Sequence, residues 1–323
     1  MMDPVMPETD WSKGDFSCSE LPVEDWVPTL VRAYRDRVRW HEATGDDAVP
    51  YVQLLTGTGI FASAFGCEVH LLADSPPFAL PVVSRAEEAD RLPYPTLNAR
   101  PIERVFRMIE LLRRELGDET VIGVPDIQSP FDIAALIWRK EDLFCAMYES
   151  PESVKRLTSQ CQTLLTEFLD EFKRQVPNPN LIHCPYTWAP PELGCSLSED
   201  EAGSVNQEMF EEFCLPSLVE MSEHFGGMFV HCCATADHQY EQFNKIPNLR
   251  GINRVFQAPG PRPAIEAFEN RTVLVMAWLD ETAAGGLLDQ ALPGTRFLFN
   301  ISPLPIEEAK RAYDRLRERC PRT

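Results

Sequence analysis

Gly226-Gly227-Met228-Phe229-Val230-His231-Cys232-Cys233-Ala234-Thr235-Ala236-Asp237 reads as a glycine turn, a short apolar strand, a loop and the opening of a helix. In an extended segment residues i and i+2 point to the same side. His231 and Cys233 therefore face one way and Cys232 the other. Imidazole and thiolate are both zinc ligands, so a His-x-Cys pair at the end of a strand is half of a metal site. The same residues also suit a core, where a cysteine is a small hydrophobe and a histidine satisfies one hydrogen bond.

Working outward, the strand–loop–helix unit recurs on both sides. Thr120-Val121-Ile122-Gly123-Val124 is a β-branched strand with Asp126 just past its end. Ser129-Pro130 opens a helix through Phe131, Ala134, Ala135 and Trp138. Ser150-Pro151 opens another, a hydroxyl cap followed by a first-turn proline. Its buried face is Val154, Leu157, Cys161, Leu164, Leu165, Phe168 and Phe172, at helical spacing. Leu181-Ile182-His183-Cys184 reads as a strand and leads into a polar-aromatic loop. Asn206 caps the next helix, which Pro216 should kink. Further strands are read at 228–232, 250–255, 272–278 and 296–300, with helices from about 238, at 262–268 and from Ile306 through Leu316. Strands alternating with helices predict a parallel sheet. Their number, in a chain of 323 residues, favours a single (β/α)8 TIM barrel over an open doubly wound sheet.

The N-terminal part reads differently. Residues 1–20 are an acidic, loose arm, and Trp26, Leu30, Ala33, Tyr34 and Val38 mark a helix over 26–41. Residues 1–45 are therefore expected to lie outside a barrel formed by residues 46–323. Pro50–Leu55 is strand-like. The Thr56-Gly57-Thr58-Gly59 loop after it lacks the Gly-Lys-Ser/Thr of a phosphate cradle. Residues 74–101 are rich in proline and read as a long irregular connection. Pro101 then starts a helix that Gly117 closes.

Composition removes several classes. Fifty acidic against 30 basic residues give a net charge of −20. Such a surface repels nucleic-acid phosphates and anionic lipid. No apolar run is long enough to cross a bilayer, and the N-terminus lacks the basic start of a signal peptide. The ten cysteines are irregularly spaced and read as reduced thiols of a cytoplasmic protein.

Five blocks stand in a telling order. They are Ser129-Pro130-Phe131-Asp132-Ile133-Ala134-Ala135-Leu136, then Ser150–Val154 after Tyr148, then Asp200-Glu201-Ala202-Gly203. Glu208–Phe213 with Leu215-Pro216 follows, then Phe229-Val230-His231-Cys232-Cys233. This order resembles the uroporphyrinogen decarboxylase superfamily over roughly residues 50–305. That superfamily includes zinc-dependent, corrinoid-linked methyltransferases, and the resemblance implies a (β/α)8 barrel. The decarboxylases carry an Arg-Gln-Ala-Gly-Arg-Tyr segment near the N-terminus, which this chain lacks. The methyltransferases have a His-x-Cys pair matching His231 and Cys233 and a later Cys on a distal strand. Here that strand, Arg296–Pro303, contains neither Cys nor His.

The resemblance implies zinc at His231 and Cys233, with Asp280, Cys184 or Cys195 as the third ligand; Asp280 also suits a helix cap. It implies a small-molecule substrate and a corrinoid carried by a partner protein. Asp126 and Asp200 follow strands and are candidate acid–base or substrate-orienting groups. Tyr186 and Trp188 are candidates for lining a substrate pocket, and Arg254 for an anionic group. Three readings follow. The first is methyl transfer from a corrinoid-linked donor to a thiol at a zinc site. The second is a metal-free decarboxylase or lyase acting on a tetrapyrrole or another carboxylated substrate. The third is a non-catalytic module that binds a corrinoid protein.

Overall fold

Runs of β-branched and aliphatic residues become short strands, and nearly all of them run parallel. The computed structural model describes residues 22–54, 56–70, 78–254, 260–302 and 304–320. The expected arm over residues 1–20, and Pro76 and Pro77 of the proline-rich connection, lie outside the described residues. β1 (Glu68–His70) and β2 (Phe78–Leu80) form an antiparallel pair. β3 (Ile122–Gly123) runs parallel to β4 (Pro179–Asn180). β5 (Cys195–Ser198), β6 (Met228–Cys232), β7 (Leu249–Arg254), β8 (Val273–Leu279) and β9 (Arg296–Ile301) form one parallel sheet in chain order.

Smaller contacts link these pieces. Val52 bridges to Ile122, and Gln128 to Ser198, both in parallel sense. The Ser196 amide donates to the Leu181 carbonyl at 3.0 Å. Val52, β3 and β4 thus follow one another laterally, and Leu181 leads on to β5. The segment after β3 also meets β5 directly at Gln128, and β5 to β9 follow in chain order. Among the described residues no ladder returns from β9 to the segment at Val52. The observed architecture is an α/β fold on a five-stranded parallel sheet, and the closed eight-stranded ring expected from the alternation is not drawn by its ladders.

Helices cover this frame. In chain order they are α1 (Val23–Thr44), α2 (Ile60–Ala64), α3 (Ala86–Ala89), α4 (Arg100–Leu116), α5 (Pro130–Ile137), α6 (Lys140–Glu149) and α7 (Pro151–Gln175). After β5 come α8 (Gln207–Met209), α9 (Leu215–Phe225), α10 (Tyr240–Phe243), α11 (Arg262–Phe268), α12 (Glu281–Asp289) and α13 (Ile306–Arg319). The face predicted for α7 is buried along its whole length. Truncating one such residue to Ala typically costs about 2–5 kcal/mol. α1 buries Trp26, Leu30 and Val31 in the same core cluster as α7. No helix of the described residues is long and apolar enough to cross a membrane.

Some local readings shift. Ser129 does cap α5, its hydroxyl accepting from the Asp132 amide at 3.0 Å. Ser150 precedes α7 without a side-chain cap bond. The chain winds into a π-helical turn at Phe210–Cys214 just before Pro216, relieving the missing amide there. The ladder expected at 181–184 falls instead at Pro179–Asn180. Asn180 donates its side-chain amide to the carbonyls of Ile182 (3.3 Å) and Thr187 (2.8 Å) and turns the chain out of the sheet. β5 is a strand of Cys-Ser-Leu-Ser whose four residues are all buried.

The entries to β5 and β6 cross closely. Gly194 has φ +113, and a Cβ built there would lie 1.8 Å from the Gly227 carbonyl oxygen. Both the backbone conformation and the contact require glycine. Gly194→Ala is expected to destabilise the protein by at least about 2–3 kcal/mol in denaturant unfolding. Gly286→Ala, in the interior of α12 with nothing within 4 Å, should instead stabilise it by about 0.5–1 kcal/mol.

Candidate metal centre

Strand register assembles the site. Ser198 pairs with His231, and His231 with Asn253. Residues in register across a parallel sheet point to the same face, and neighbours along a strand alternate. Ser198, His231 and Asn253 therefore share one face, while Val230, Cys232 and Arg254 occupy the other. His231 Nδ1 lies 2.6 Å from Asn253 Oδ1. Asn253 Nδ2 donates to the Val275 carbonyl at 2.5 Å.

The loop after β5 is held just as firmly. The Glu199 amide donates to the His231 carbonyl at 2.8 Å. The Asp132 carboxylate, on the first turn of α5, accepts from the amides of Asp200 (2.7 Å) and Glu201 (3.0 Å). Asp200 Oδ1 in turn accepts from the Cys233 amide at 2.6 Å. One ligand-capable atom from each of Asp200, His231 and Cys233 lies within 4.8 Å of the other two. It is the one trio of His, Cys, Asp or Glu grouped this way among the described residues.

The donor set fits a divalent cation of zinc type. It offers oxygen, nitrogen and sulfur from three residues, and catalytic zinc uses three protein ligands and one open position. Burial lowers the pKa of His231, which favours neutral imidazole with a lone pair to give. Partial burial pushes the Cys233 thiol up to about 12, with Asp200 adding to the rise. Without a cation Cys233 is therefore a neutral thiol at physiological pH, and a bound cation would favour its thiolate.

A second group adjoins the first. Asp126 Oδ1 lies 3.4 Å from His183 Nδ1 and accepts from Gln128 Nε2 at 3.0 Å. Ser198 Oγ lies 3.4 Å from His183 Nε2. Burial raises the Asp126 pKa, but His183, His231 and Gln128 outweigh it and the net shift is downward. Cys184 Sγ lies 3.5 Å from His231 Nδ1. Behind the loop, burial lifts the Glu199 carboxyl to about 8; Asp200 and Glu201 add to this, against lowering by Ser129 and Asp132.

The other expected site residues lie elsewhere. Asp280 is the N-cap of α12, accepting from the Ala283 amide at 2.7 Å, and is no member of the trio; its place after β8 suited a cap as well as a ligand. Arg254, with 1% of its side chain exposed, points to the opposite face from His231 and pairs with Asp237 at 2.9 Å. Tyr186 stacks on Tyr51 at 4.2 Å, and its hydroxyl donates to the Tyr51 carbonyl at 3.1 Å. Trp188 is half-buried in the loop after β4. Cys195 is buried in β5, on the face away from Ser198. Each cysteine of the described residues is a free thiol. Asp132 and Asn253 carry the site's scaffolding yet read in the sequence only as members of a helix start and a strand.

Residues 40–175 match the family described as uroporphyrinogen decarboxylase (URO-D). Over that stretch, less than half of its length, the chain is similar to uroporphyrinogen decarboxylase. A methyltransferase from Methanosarcina mazei has a similar structure, with a TM-score of 0.66 at 14% identity, covering 94% of this chain and 92% of that one. That likeness is one of fold. No curated protein matches the chain in sequence.

Two outcomes follow from the geometry. In metal-free protein at pH 8, iodoacetamide should modify Cys233 on the order of 100-fold more slowly than an ordinary exposed cysteine, because the thiolate is scarce. Asp200→Asn should speed it, read by peptide mass mapping against Cys145 and Cys320; equal rates at all three in the wild type would contradict the pKa assignment. Asp132→Asn removes one of the two acceptors that hold the Asp200 loop. It should cost about 1–3 kcal/mol in thermal or denaturant unfolding.

Proposed function

We propose that the protein is a methyltransferase of the uroporphyrinogen decarboxylase superfamily that moves a methyl group from a corrinoid-linked donor to a thiol. The observation that carries this reading is the convergence of Asp200, His231 and Cys233 at the ends of β5 and β6. In this proposal the trio holds zinc, and the lateral order of the strands closes into a (β/α)8 barrel around it. Zinc, when bound, lowers the pKa of a thiol so that the nucleophilic thiolate is present at neutral pH.

The chain's own residues do the rest. Asp200, held by the Cys233 amide and by Asp132 through its own amide, presents a carboxylate oxygen at a fixed place. His231 is held neutral by burial, and Cys233 supplies sulfur from the rim. The half-buried Asp126 carboxylate, held by Gln128 and beside His183, orients the incoming substrate on the same side of the site. A corrinoid protein is the proposed partner, supplying the methyl group at the open end of the strands.

A metal-free carboxy-lyase is the second reading, favoured by the family match over residues 40–175. Such an enzyme needs cationic groups for substrate carboxylates. The buried arginine next to this site, Arg254, is turned to the other face and already paired with Asp237.

Metal analysis separates the two. Protein grown with zinc and purified without chelator should carry about one zinc per chain, and Cys233→Ser or Asp200→Ala should lose most of it while staying folded by circular dichroism. Both variants should also lose thiol methylation assayed with free methylcobalamin. Wild-type protein with no stoichiometric zinc, or Cys233→Ser retaining full methyl transfer, would overturn the methyltransferase reading in favour of the lyase.

A further inference from the structure

We propose that Asn253 is a positioning residue that locks His231 in the tautomer carrying its proton on Nδ1, committing Nε2 as the metal-binding atom. The proposal deepens the zinc reading given above and rests on it for its metal half.

The argument runs through three strands. The Val275 carbonyl, on β8, is an acceptor only. The Asn253 group 2.5 Å from it must therefore be the amide NH2, which fixes the orientation of the side chain. Asn253 Oδ1 then faces His231 Nδ1 at 2.6 Å. A carbonyl oxygen also only accepts, so a contact this short requires a proton on Nδ1. An imidazole that ligates a metal carries a single N–H, and here the short bond to Asn253 puts it on Nδ1. The lone pair is left on Nε2.

The neighbours agree with this assignment. The contact from Cys184 Sγ to the same Nδ1, at 3.5 Å, is much longer than the 2.6 Å one to Asn253 and leaves the short bond to the amide oxygen. Asn253 is 3% and His231 6% exposed, so water has little access to replace the bond. The relay is also laid down by the backbone, since His231 and Asn253 are register partners in β6 and β7. Asn253 does not touch a cation. It acts through His231, as outer-shell partners of metal-binding histidines do by fixing the ring and its tautomer.

The test uses full-length protein and two readouts. In metal-free, 15N-histidine-labelled protein, long-range nitrogen–proton correlation should show His231 with a protonated Nδ1 and a bare Nε2, the signals being assigned by loss in His231→Gln. Asn253→Leu should shift His231 towards the Nε2–H form, and Asn253→Asp, which keeps an acceptor, should retain Nδ1–H. In chelator competition, Asn253→Leu should bind zinc about 10–100-fold more weakly than wild type, with Asn253→Asp recovering most of the loss. A wild-type His231 protonated on Nε2 would overturn the proposal whatever the variants do, including any that fail to fold. Zinc affinity and tautomer both unchanged in Asn253→Leu would overturn it too. If no variant and no wild-type protein binds zinc while the tautomer pattern holds, the tautomer lock stands and the zinc reading falls.

Discussion

The parallel register that sets Ser198 beside His231, and His231 beside Asn253, is the constraint on which the site depends. A one-residue slip between β6 and β7 would bring Val230 or Cys232 to the face now held by His231. The backbone defends this register at both ends. At the strand entries, Gly194 and Gly227 touch too closely for any side chain. At the exits, the Glu199 amide bonds to the His231 carbonyl and the Cys233 amide to the Asp200 carboxylate. The chemical groups are thus fixed by main-chain hydrogen bonds of rigid elements, which suits a site that must hold its geometry before a ligand arrives.

Acidic density beside the site has a physical consequence. Asp132, Glu199, Asp200 and Glu201 crowd one corner, and burial with mutual repulsion raises the pKa of Asp132 well above its ordinary value. Lys140 offsets part of this through Glu201. Burial likewise lifts the Glu199 carboxyl to about 8, so a neutral carboxyl suits this corner better than a buried anion. The open side of the site carries the carboxylates of Asp200 and Asp126, where a cation would offset their charge. An anionic substrate would meet the opposite field, and this weighs on the side of cation chemistry.

Much of the frame was legible before any coordinates. The long amphipathic face of α7, the proline start and glycine stop of α4, and the strands over 228–232 and 296–300 all announced themselves by periodicity and punctuation. These signals are local, and local signals survive folding. β5 did not announce itself, because Cys-Ser-Leu-Ser has neither β-branched residues nor an apolar run; its strand character comes from neighbours on both sides. The ring expected from counting strands is a lateral property, and a single bridge at Val52 and one backbone bond from Ser196 to Leu181 carry that order where full ladders do not.

The site was half legible for the same reason. His231 and Cys233 are two residues apart, so strand geometry alone puts them on one side. Asp200 lies 31 positions before His231 in the chain, and its carboxylate reaches Cys233 only because β5 lies beside β6. Asp280, Asp126 and Asp200 all follow strands and look alike in sequence. What separates them is what their oxygens already do. Asp280 spends an oxygen on the first turn of α12, as an aspartate before a helix ordinarily does. Asp126 is held by His183 and Gln128. Asp200 gives an oxygen only to the Cys233 amide, inside the site itself, because Asp132 reaches across from α5 to satisfy the loop amides. The carboxylate free to serve a ligand is therefore chosen by a different acid, on a different helix, and that choice is made in the packing of α5 against the end of β5.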